Sequence, residues 1–313
     1  NTIAIIKYLK INSQDKAITN MPFNYSYMLS ILNTHLYSGA SLYVTQNSML
    51  QKSFWDFFKS NKITSINGVP YIYEILLKLG LKNIYHSKLK YFTQAGGKLE
   101  IKLIKKIFRF TNKKMIKFFT MYGQTEASPR MTYLLHKSKK KLGSIGKTLD
   151  KSEIWLIDED EKKINQQNVS GELVFKGEGV SMGYANNYKD LKKGDENKKI
   201  LKTGDLAYYD KDNFFYITGR KNRITKIFGN RFNLDEIEKK MSEKGYKIVC
   251  KEVNNFFVVF FENKTYIKTV IDQLSNITNQ NKIAFKSCWI KNFPRTASGK
   301  INYAQLNEIN YKC

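Results

Sequence analysis

The chain has 313 residues, and its 53 Lys and Arg against 27 Asp and Glu give a formal net charge of +26 at pH 7. Such a charge is typical of nucleic-acid-binding proteins, but only six of the basic residues are Arg, which nucleic-acid surfaces prefer for bidentate contacts. The lysines are spread along the chain, so the composition argues against a nucleic-acid partner and leaves open a peripheral contact with an anionic membrane surface.

Apolar runs and cysteines restrict the class of protein further. No apolar run in the sequence approaches the roughly 20 residues of a membrane-spanning helix. The three Cys and three His are widely spaced, which disfavours a disulfide framework or a zinc site and favours a reducing compartment. We therefore expect a cytoplasmic protein without a transmembrane segment, large enough for about two domains.

The first 120 residues alternate between helix and strand patterns. The predicted helices cover 1–10, 54–60, 71–79 and 100–110, and the predicted strands cover 41–45, 62–67, 89–94 and 115–120. Strands that alternate with helices predict a parallel sheet covered on both faces. The first 140 residues are therefore expected to form an α/β unit.

The pattern changes after residue 140. Short strands are predicted at 153–158, 171–176 and 214–218, and the polar stretch 186–199 reads as a surface loop. We expect residues 141–221 to form a small β subdomain of the same large domain.

A third unit is predicted from residue 222 to residue 313. Asn233 is a good N-cap, and Glu236 follows three residues later, as in a capping box. A helix is predicted at 234–242 and another at 264–274, with strands at 246–252, 256–261 and 283–290. This pattern indicates a small α+β domain, so the whole chain is an α/β protein with a separate carboxyl-terminal domain.

The segment Met121–Ser128 follows a predicted buried strand. Loops at the carboxyl ends of parallel strands bind ligands in α/β sheets. Tyr122 offers a flat face to a base, Thr125 a hydroxyl to a phosphate, and Glu126 a carboxylate to Mg²⁺. Gly123 allows the backbone to approach a ligand closely. The alternative is a polar turn with a structural Tyr.

The segment 203–205 ends in Asp205, and Arg220 follows 15 positions later. One carboxylate can accept hydrogen bonds from both hydroxyls of a ribose, and a nearby Arg can hold a phosphate. The alternative is a turn Asp and a surface Arg.

A third segment, 293–300, ends in Gly299 and Lys300. The glycine permits a close approach, and the lysine places a charge on a long stem. Most lysines of this chain are solvated, and the flanking turn residues are what distinguish Lys300.

These segments, in this order, resemble the adenylate-forming (AMP-binding) superfamily, which includes acyl-CoA synthetases, luciferases and peptide-synthetase adenylation domains. The resemblance covers nearly the whole chain. Further matching segments are 66–70, 95–99, 143–147, 171–173, 183–184, 229–231 and 236–238. A match to any one segment is weak evidence, but about eight matching segments in the same order are specific to the family.

The resemblance implies a role for each matching residue. The ATP-binding residues that it implies are Gly96, Gly97, Lys98, Met121, Tyr122, Gly123, Asp205, Ile217 and Arg220. Among these, Gly96, Gly97 and Tyr122 would form the adenine slot, with Ile217 at its edge. Thr125 would contact phosphate, Glu126 would hold Mg²⁺, and Lys300 would bridge the acyl carboxylate and the α-phosphate.

Family members then rotate the small domain for a second half-reaction. The hinge aligns with Asn222, where the family usually has Asp or Lys. After the rotation, Lys226 would act as a further catalytic residue, and Gly229 and Arg231 would face the thiol acceptor. The resemblance therefore implies ATP and Mg²⁺, with CoA or a phosphopantetheinyl acyl carrier protein as acceptor.

The segment 21–27 matches the acyl pocket of the family, with Tyr25 and Tyr27 as its candidate residues. The stretch 21–39 contains no Asp or Glu. An amino-acid substrate would bury its ammonium unpaired there, which is costly, so a simple carboxylic acid is favoured. Both tyrosines fit the core or a lid equally well.

The sequence thus predicts an AMP-forming acid–thiol ligase of the acyl-CoA synthetase type, with a small carboxylic acid as substrate and a place in fatty-acid metabolism. One alternative is an amino-acid or aryl-acid adenylation enzyme that loads a carrier protein. Another is a non-catalytic nucleotide-binding remnant. The phosphate loop of the family is absent from this sequence. We therefore expect a fragment that is poorly soluble and nearly inactive alone, with residues 222–313 folding independently.

Overall fold

The computed structural model describes residues 1–137, 140–296 and 299–308, and its amino-terminal half is built on a five-stranded sheet. The elements of this half are α1 (Thr2–Leu9), β1 (Lys16–Ile18), α2 (Ser26–Tyr37), β2 (Ser41–Tyr43), α3 (Lys52–Ser60), β3 (Ser65–Gly68), α4 (Pro70–Leu79), α5 (Leu81–Ile84), β4 (Tyr91–Gln94), α6 (Ile101–Lys113), β5 (Lys117–Tyr122), β6 (Thr132–Leu135) and β7 (Lys147–Thr148). Strands β3, β4 and β5 are parallel, which confirms the predicted arrangement. Strands β6 and β7 add an antiparallel edge that was not predicted, and β1 pairs with β2 in a separate parallel pair.

The sheet is buried on both faces, as parallel strands require. All four residues of β4 are buried, and Phe118 and Phe119 of β5 are each 1% exposed. Helix α6 covers the sheet with Ile104, Ile107 and Phe108, a spacing of one helical face. Strands β3 to β5 begin two or three residues later than predicted, since Lys62 and Met115 adopt left-handed conformations with φ of 54° and 56°.

Residues 153–220 form an antiparallel meander. Its strands are β8 (Glu153–Ile157), β9 (Gly171–Lys176), β10 (Ile200–Tyr209) and β11 (Phe215–Arg220), in the spatial order β11-β10-β9-β8. Strand β10 was missed by the sequence analysis. Its register shifts between Lys202 and Leu206, where Gly204 has a φ of 68°, so no alternating pattern was visible.

The carboxyl-terminal unit is a small α+β fold. Its elements are β12 (Ile224–Ile227), β13 (Asn230–Asn233), α7 (Leu234–Glu243), β14 (Ile248–Val253), β15 (Phe256–Phe261), α8 (Ile267–Thr278), β16 (Phe285–Trp289) and α9 (Tyr303–Glu308). The N-cap prediction is confirmed, because the Asn233 Oδ1 accepts from the amides of Asp235 and Glu236 at 3.1 and 3.3 Å. In a capping box the Glu236 carboxylate would accept a hydrogen bond from the Asn233 amide. Here it forms an ion pair with Lys240 at 2.8 Å instead.

This unit has apolar clusters of its own on the two faces of β14–β16. Its contacts with the amino-terminal half include polar side-chain pairs, such as Lys247 with Glu74 at 3.8 Å and Ser242 with Glu100 at 3.0 Å. On this basis we propose the domain boundary predicted near residue 222. None of the helices in the described part of the chain is both long enough and apolar enough to span a bilayer.

A buried histidine gives the core of the first unit a pH dependence. His136 is 6% exposed, its ring stacks on Phe118 with centroids 4.9 Å apart, and its Nε2 lies 3.2 Å from the Thr120 hydroxyl. Burial lowers the pKa of His136 to about 4. In the unfolded chain a histidine titrates near pH ~6.5, so the folded state binds fewer protons between these values.

The unfolding free energy should therefore fall as the pH drops from about 6.5 to about 4, and level off below. We expect His136 to account for a loss of roughly 3 kcal/mol across this window. Urea unfolding at pH 7, 5.5 and 4 measures it. The unfolding free energy of His136→Phe should fall less steeply with decreasing pH than that of the wild type. Identical pH profiles of the two proteins would show that His136 is not the source of the pH dependence.

Candidate active site

A cleft of about 360 Å³ opens where the carboxyl ends of β3 to β5 meet the β8–β11 meander. The start of α2, the loop after β5, strand β10 and the loop after β16 all contribute to it. Its lining residues include Tyr25, Ser26, Tyr27, Gly96, Gly123, Gln124, Thr125, Glu126, Arg130, Tyr184, Lys202, Thr203, Arg220 and Lys300. The structure thus brings together side chains from three segments that the sequence analysis selected separately.

The loop after β5 is tightly folded. A Cβ atom at Gly123 would clash with the carbonyl oxygen of Pro129, so only glycine permits this turn. The turn presents Thr125, whose hydroxyl lies 2.9 Å from that of Ser26. It also presents Glu126, whose Oε1 accepts a 2.6 Å hydrogen bond from the Tyr184 hydroxyl. The loop therefore offers one hydroxyl and one carboxylate to a ligand in the cleft.

Asp205 is the most buried acid beside the cleft, at 3% exposure. Its Oδ2 accepts hydrogen bonds from the Tyr122 hydroxyl at 2.6 Å and from the Gln124 Nε2 at 2.9 Å, and its Oδ1 pairs with the Arg220 Nε at 2.9 Å. Burial raises the pKa of the Asp205 carboxyl, and these three donors act against that shift. Burial also raises the pKa of Tyr122 well above its usual value, so this phenol is a neutral donor at pH 7.

The local fold of the Thr203–Asp205 segment explains how Asp205 reaches this position. The Thr203 hydroxyl donates to the Leu173 carbonyl at 2.7 Å and accepts from the Asp205 amide at 3.1 Å. Gly204 takes a left-handed φ of 68°, which interrupts the pairing of β10 with β9. The interruption turns Asp205 towards Tyr122.

Lys300 and Arg220 are among the basic residues that line the cleft. Desolvation lowers the pKa of Lys300, and the positive charge of Arg220 acts in the same direction. The Lys300 Nζ lies 6.0 Å from the centre of the Tyr25 ring. Because Lys300 and Arg220 raise the local positive potential, this part of the cleft favours an anion such as a phosphate. Ala297 and Ser298 of the same segment lie outside the described residues.

The residues predicted to contact adenine lie in different surroundings. Tyr122 and Ile217 pack against one apolar cluster, and the Ile217 carbonyl accepts a 2.5 Å hydrogen bond from the Lys98 Nζ. Gly96 touches the Tyr25 hydroxyl, and Gly97 faces the Pro70 ring. Met121 differs from these, because its side chain is 5% exposed and its sulfur accepts from the Tyr8 hydroxyl. Its side chain therefore belongs to the core.

The predicted acceptor residues lie elsewhere. Lys226, Gly229 and Arg231 belong to the exposed hairpin of β12 and β13 and do not line the cleft. Arg231 pairs instead with Glu159. Asn222 lies in an exposed single turn between β11 and β12, where a hinge was expected. The structure therefore brings together the predicted residues of the adenylation step and leaves those of the transfer step outside.

Two contributors to the site were missed. Gln124 reaches Asp205 and the Thr203 carbonyl, and it could have been found because it lies inside the selected loop. Arg130 lies four residues beyond Glu126, and a buried arginine carries no sequence signal that separates it from an exposed one.

The fold and the cleft define a protein of the adenylate-forming class. Residues 1–185 match the family model of the AMP-binding enzymes, and the chain belongs to this family. It is similar to the 2-succinylbenzoate–CoA ligase of Listeria monocytogenes serotype 4b (strain F2365), at 24% identity over 322 positions. It is also similar to the oxalate–CoA ligase of Saccharomyces cerevisiae, at 24% identity over 322 positions.

These matches cover 98% of this chain, but only 64% of the Listeria protein and 58% of the yeast protein. Among solved structures, the o-succinylbenzoate CoA synthetase of Bacillus subtilis in complex with its acyl-adenylate intermediate superposes with a TM-score of 0.78 at 22% identity. That superposition covers 97% of this chain and 63% of the other. The ATP-bound MatB of Rhodopseudomonas palustris superposes with a TM-score of 0.79 at 18% identity, covering 100% and 63%. These likenesses confirm the predicted α/β fold.

Glu126 should govern the Mg²⁺ dependence of nucleotide binding. Replacing it with Gln removes the only carboxylate among the described residues that line the cleft. We expect the Mg²⁺ concentration for half-maximal ATP binding to rise by about tenfold, since the amide loses the anionic ligand. Calorimetric ATP titrations at graded Mg²⁺ measure this effect. Glu178→Gln, at an exposed surface pair with Lys199, is the control and should change nothing. Identical Mg²⁺ curves for both variants would remove Glu126 from the metal site.

Proposed function

We propose that this protein activates a carboxylic acid with ATP and then transfers the acyl group to a thiol. In the first step a carboxylate oxygen bonds to the α-phosphorus, the bond from that phosphorus to the bridging oxygen breaks, and pyrophosphate leaves. In the second step a thiolate attacks the acyl carbon and AMP leaves. The observation that carries this proposal is the convergence of Asp205, Arg220 and Lys300 at one cleft.

The nucleotide would be seated by Asp205. A carboxylate has about four acceptor positions, and three are occupied by Tyr122, Gln124 and Arg220. One acceptor position is therefore left for two ribose hydroxyls, so one of the three donors has to move before the ribose can bind. Arg220 is the candidate, because its side chain is 53% exposed. Its release from Asp205 would free the guanidinium for the phosphate.

Lys300 would supply the charge for the first chemical step. In that step negative charge moves onto the leaving pyrophosphate, and a fixed cation that bridges the acid and the α-phosphate stabilises this change. Thr125 would donate its hydroxyl to a phosphate oxygen. The Tyr25 ring beside Lys300 would exclude water from the reacting carboxylate.

Mg²⁺ fits this donor set. Its usual sites combine one or two carboxylates with phosphate oxygens and waters, and Glu126 lies half-buried in the cleft with one oxygen engaged by Tyr184. No group of three or more potential metal ligands occurs in the described part of the chain, so the phosphates would complete the shell. When bound, the ion would neutralise phosphate charge.

The transfer step would follow a rotation of the small domain about Asn222. The β12–β13 hairpin carries Lys226, Gly229 and Arg231 on an exposed surface, and rotation would bring this surface to the acyl-AMP. CoA is our preferred acceptor, because the relatives from Listeria and yeast are named CoA ligases. A phosphopantetheinyl carrier protein is the alternative acceptor that the sequence resemblance implies.

Exchange of labelled pyrophosphate into ATP tests the proposal. The assay uses the full-length protein, because residues 1–313 alone are expected to be nearly inactive. A panel of fatty, aryl, dicarboxylic and amino acids should yield at least one acid that makes the exchange rise, and Lys300→Ala should remove nearly all of that rise. Calorimetric titration with AMP gives a readout that does not depend on turnover. Absence of AMP binding, or exchange that persists in Lys300→Ala, would contradict the proposed function.

A further inference from the structure

A buried arginine lies in the wall of the cleft, apart from the residues assigned to the nucleotide. Arg130 is 3% exposed, and its guanidinium carbon lies 4.1 Å from the centre of the Tyr27 ring. Arg130, Tyr25 and Tyr27 all line the cleft. The tight turn at Gly123 folds the loop back so that Arg130 packs beside α2.

The positive charge of Arg130 has no carboxylate to balance it among the described residues. Arg220, Arg223 and Arg231 each pair with a carboxylate, and Arg130 takes part in none of the ion pairs of residues 1–137, 140–296 and 299–308. Its buried Nε has no hydrogen-bond partner within the same ranges. A buried charge without a counter-ion is costly to maintain, so a ligand that supplies the opposite charge is the simplest reason to keep it.

The neighbouring phenols do not supply that charge. Burial raises the pKa of Tyr8 to about 12 against the opposing effect of Arg130, so Tyr8 is neutral at pH 7. Burial likewise raises the pKa of Tyr25 and of Tyr27 above their usual value. The Tyr27 hydroxyl is already engaged with the Thr93 carbonyl at 3.0 Å. Three neutral aromatic side chains therefore surround the guanidinium.

We infer that Arg130 binds a second anionic group of the acid substrate. The substrate class is then an acid with a further carboxylate, or a comparable anion, besides the carboxylate that is activated. This inference rests on the proposed function, which places the reacting carboxylate at Lys300. Tyr25, Arg130 and Lys300 line the same cleft, and the Lys300 Nζ lies 6.0 Å from the centre of the Tyr25 ring. An acid that is anionic at both ends would span Arg130 and Lys300.

Stable acyl-AMP mimics test this inference without turnover. The probes are two matched pairs of acyl-sulfamoyladenosines, butanoyl with succinyl and hexanoyl with adipoyl, with AMP as a reference. Calorimetric titration of the 313-residue chain should show, in at least one pair, about tenfold or tighter binding of the member with the extra carboxylate. In Arg130→Met this preference should disappear while the affinity for AMP stays unchanged.

Two further variants serve as controls. Arg109→Met, on the exposed face of α6, should keep the full preference. Arg130→Lys keeps the charge but loses the planar fork, so it should keep a reduced preference. If circular dichroism shows that Arg130→Met is unfolded, Arg130→Lys decides the question, and an unchanged preference in that variant would overturn the inference.

The outcomes separate this inference from the proposed function. If AMP binds and the two members of each analogue pair bind with equal affinity, the inference is overturned and the proposed function stands. A preference that survives in a folded Arg130→Met also overturns it, because the second anion then binds elsewhere. If Arg130→Met loses as much affinity for AMP as for the acyl-AMP analogues, Arg130 contacts the nucleotide and not the acid. If neither AMP nor any analogue binds, both proposals fail.

Discussion

In the full-length protein, replacing Lys300 with alanine should lower the rate of adenylate formation by about 10²–10³-fold, the usual cost of removing one preorganised charge from a transition state. Transfer of the acyl group from supplied acyl-AMP to a thiol should continue nearly unchanged. The structure supports this division, because Lys300 lines the cleft while Lys226 and Arg231 lie on an exposed hairpin outside it. Pyrophosphate exchange measures the first half-reaction, and thioester formation from synthetic acyl-AMP measures the second.

The control for this experiment is Lys291→Ala, which removes an exposed lysine nearby in the sequence. It should leave both half-reactions unaltered, which separates the effect of position from the loss of one charge in a strongly basic chain. Equal losses of both half-reactions in Lys300→Ala would show that one arrangement of the small domain serves both steps. That result would remove the basis for a hinge at Asn222.

The second large effect is expected for Asp205→Ala. This change removes the carboxylate that we propose binds the ribose, and it leaves Tyr122, Gln124 and Arg220 without their shared acceptor. Two hydrogen bonds to a charged group are lost, so AMP should bind about 100-fold more weakly. Calorimetry measures the affinity, and a thermal melt checks that the protein is folded.

Asp160→Ala is the matched control for Asp205→Ala. Asp160 is exposed, and its contact with Lys162 is long, at 3.7 Å. We expect no change in AMP affinity for this variant. An Asp205→Ala protein that melts normally and binds AMP as the wild type does would show that the carboxylate only holds Tyr122, Gln124 and Arg220 in place.

The sequence analysis predicted the strands that are buried or regularly alternating. β4, β5, β9 and β15 were found because each is rich in large apolar or aromatic residues that must be covered. β10 was missed because its Thr203, Gly204 and Asp205 serve the site, which breaks the pattern of the strand. The antiparallel edge of β6 and β7 was missed because strand direction depends on contacts between residues that are far apart in the sequence.

The candidate site was only partly predictable. Motif spacing selected Asp205, Arg220 and Lys300, but it did not show that Arg220 forms an ion pair with Asp205. It also did not show that Arg130 is buried, since the burial of one arginine depends on how α2 and the loop after β5 pack together. Long-range packing of this kind has no local pattern.

Asp205 is the residue that we propose holds the ribose of a nucleotide in this cleft. The most direct test of this proposal is calorimetric titration of the wild type and of Asp205→Ala with AMP and with the dideoxy analogue that lacks both ribose hydroxyls. We expect the wild type to bind the dideoxy analogue about tenfold or more weakly than AMP. Asp205→Ala should bind the two ligands with nearly the same affinity. The same loss of affinity in both proteins would contradict the proposal.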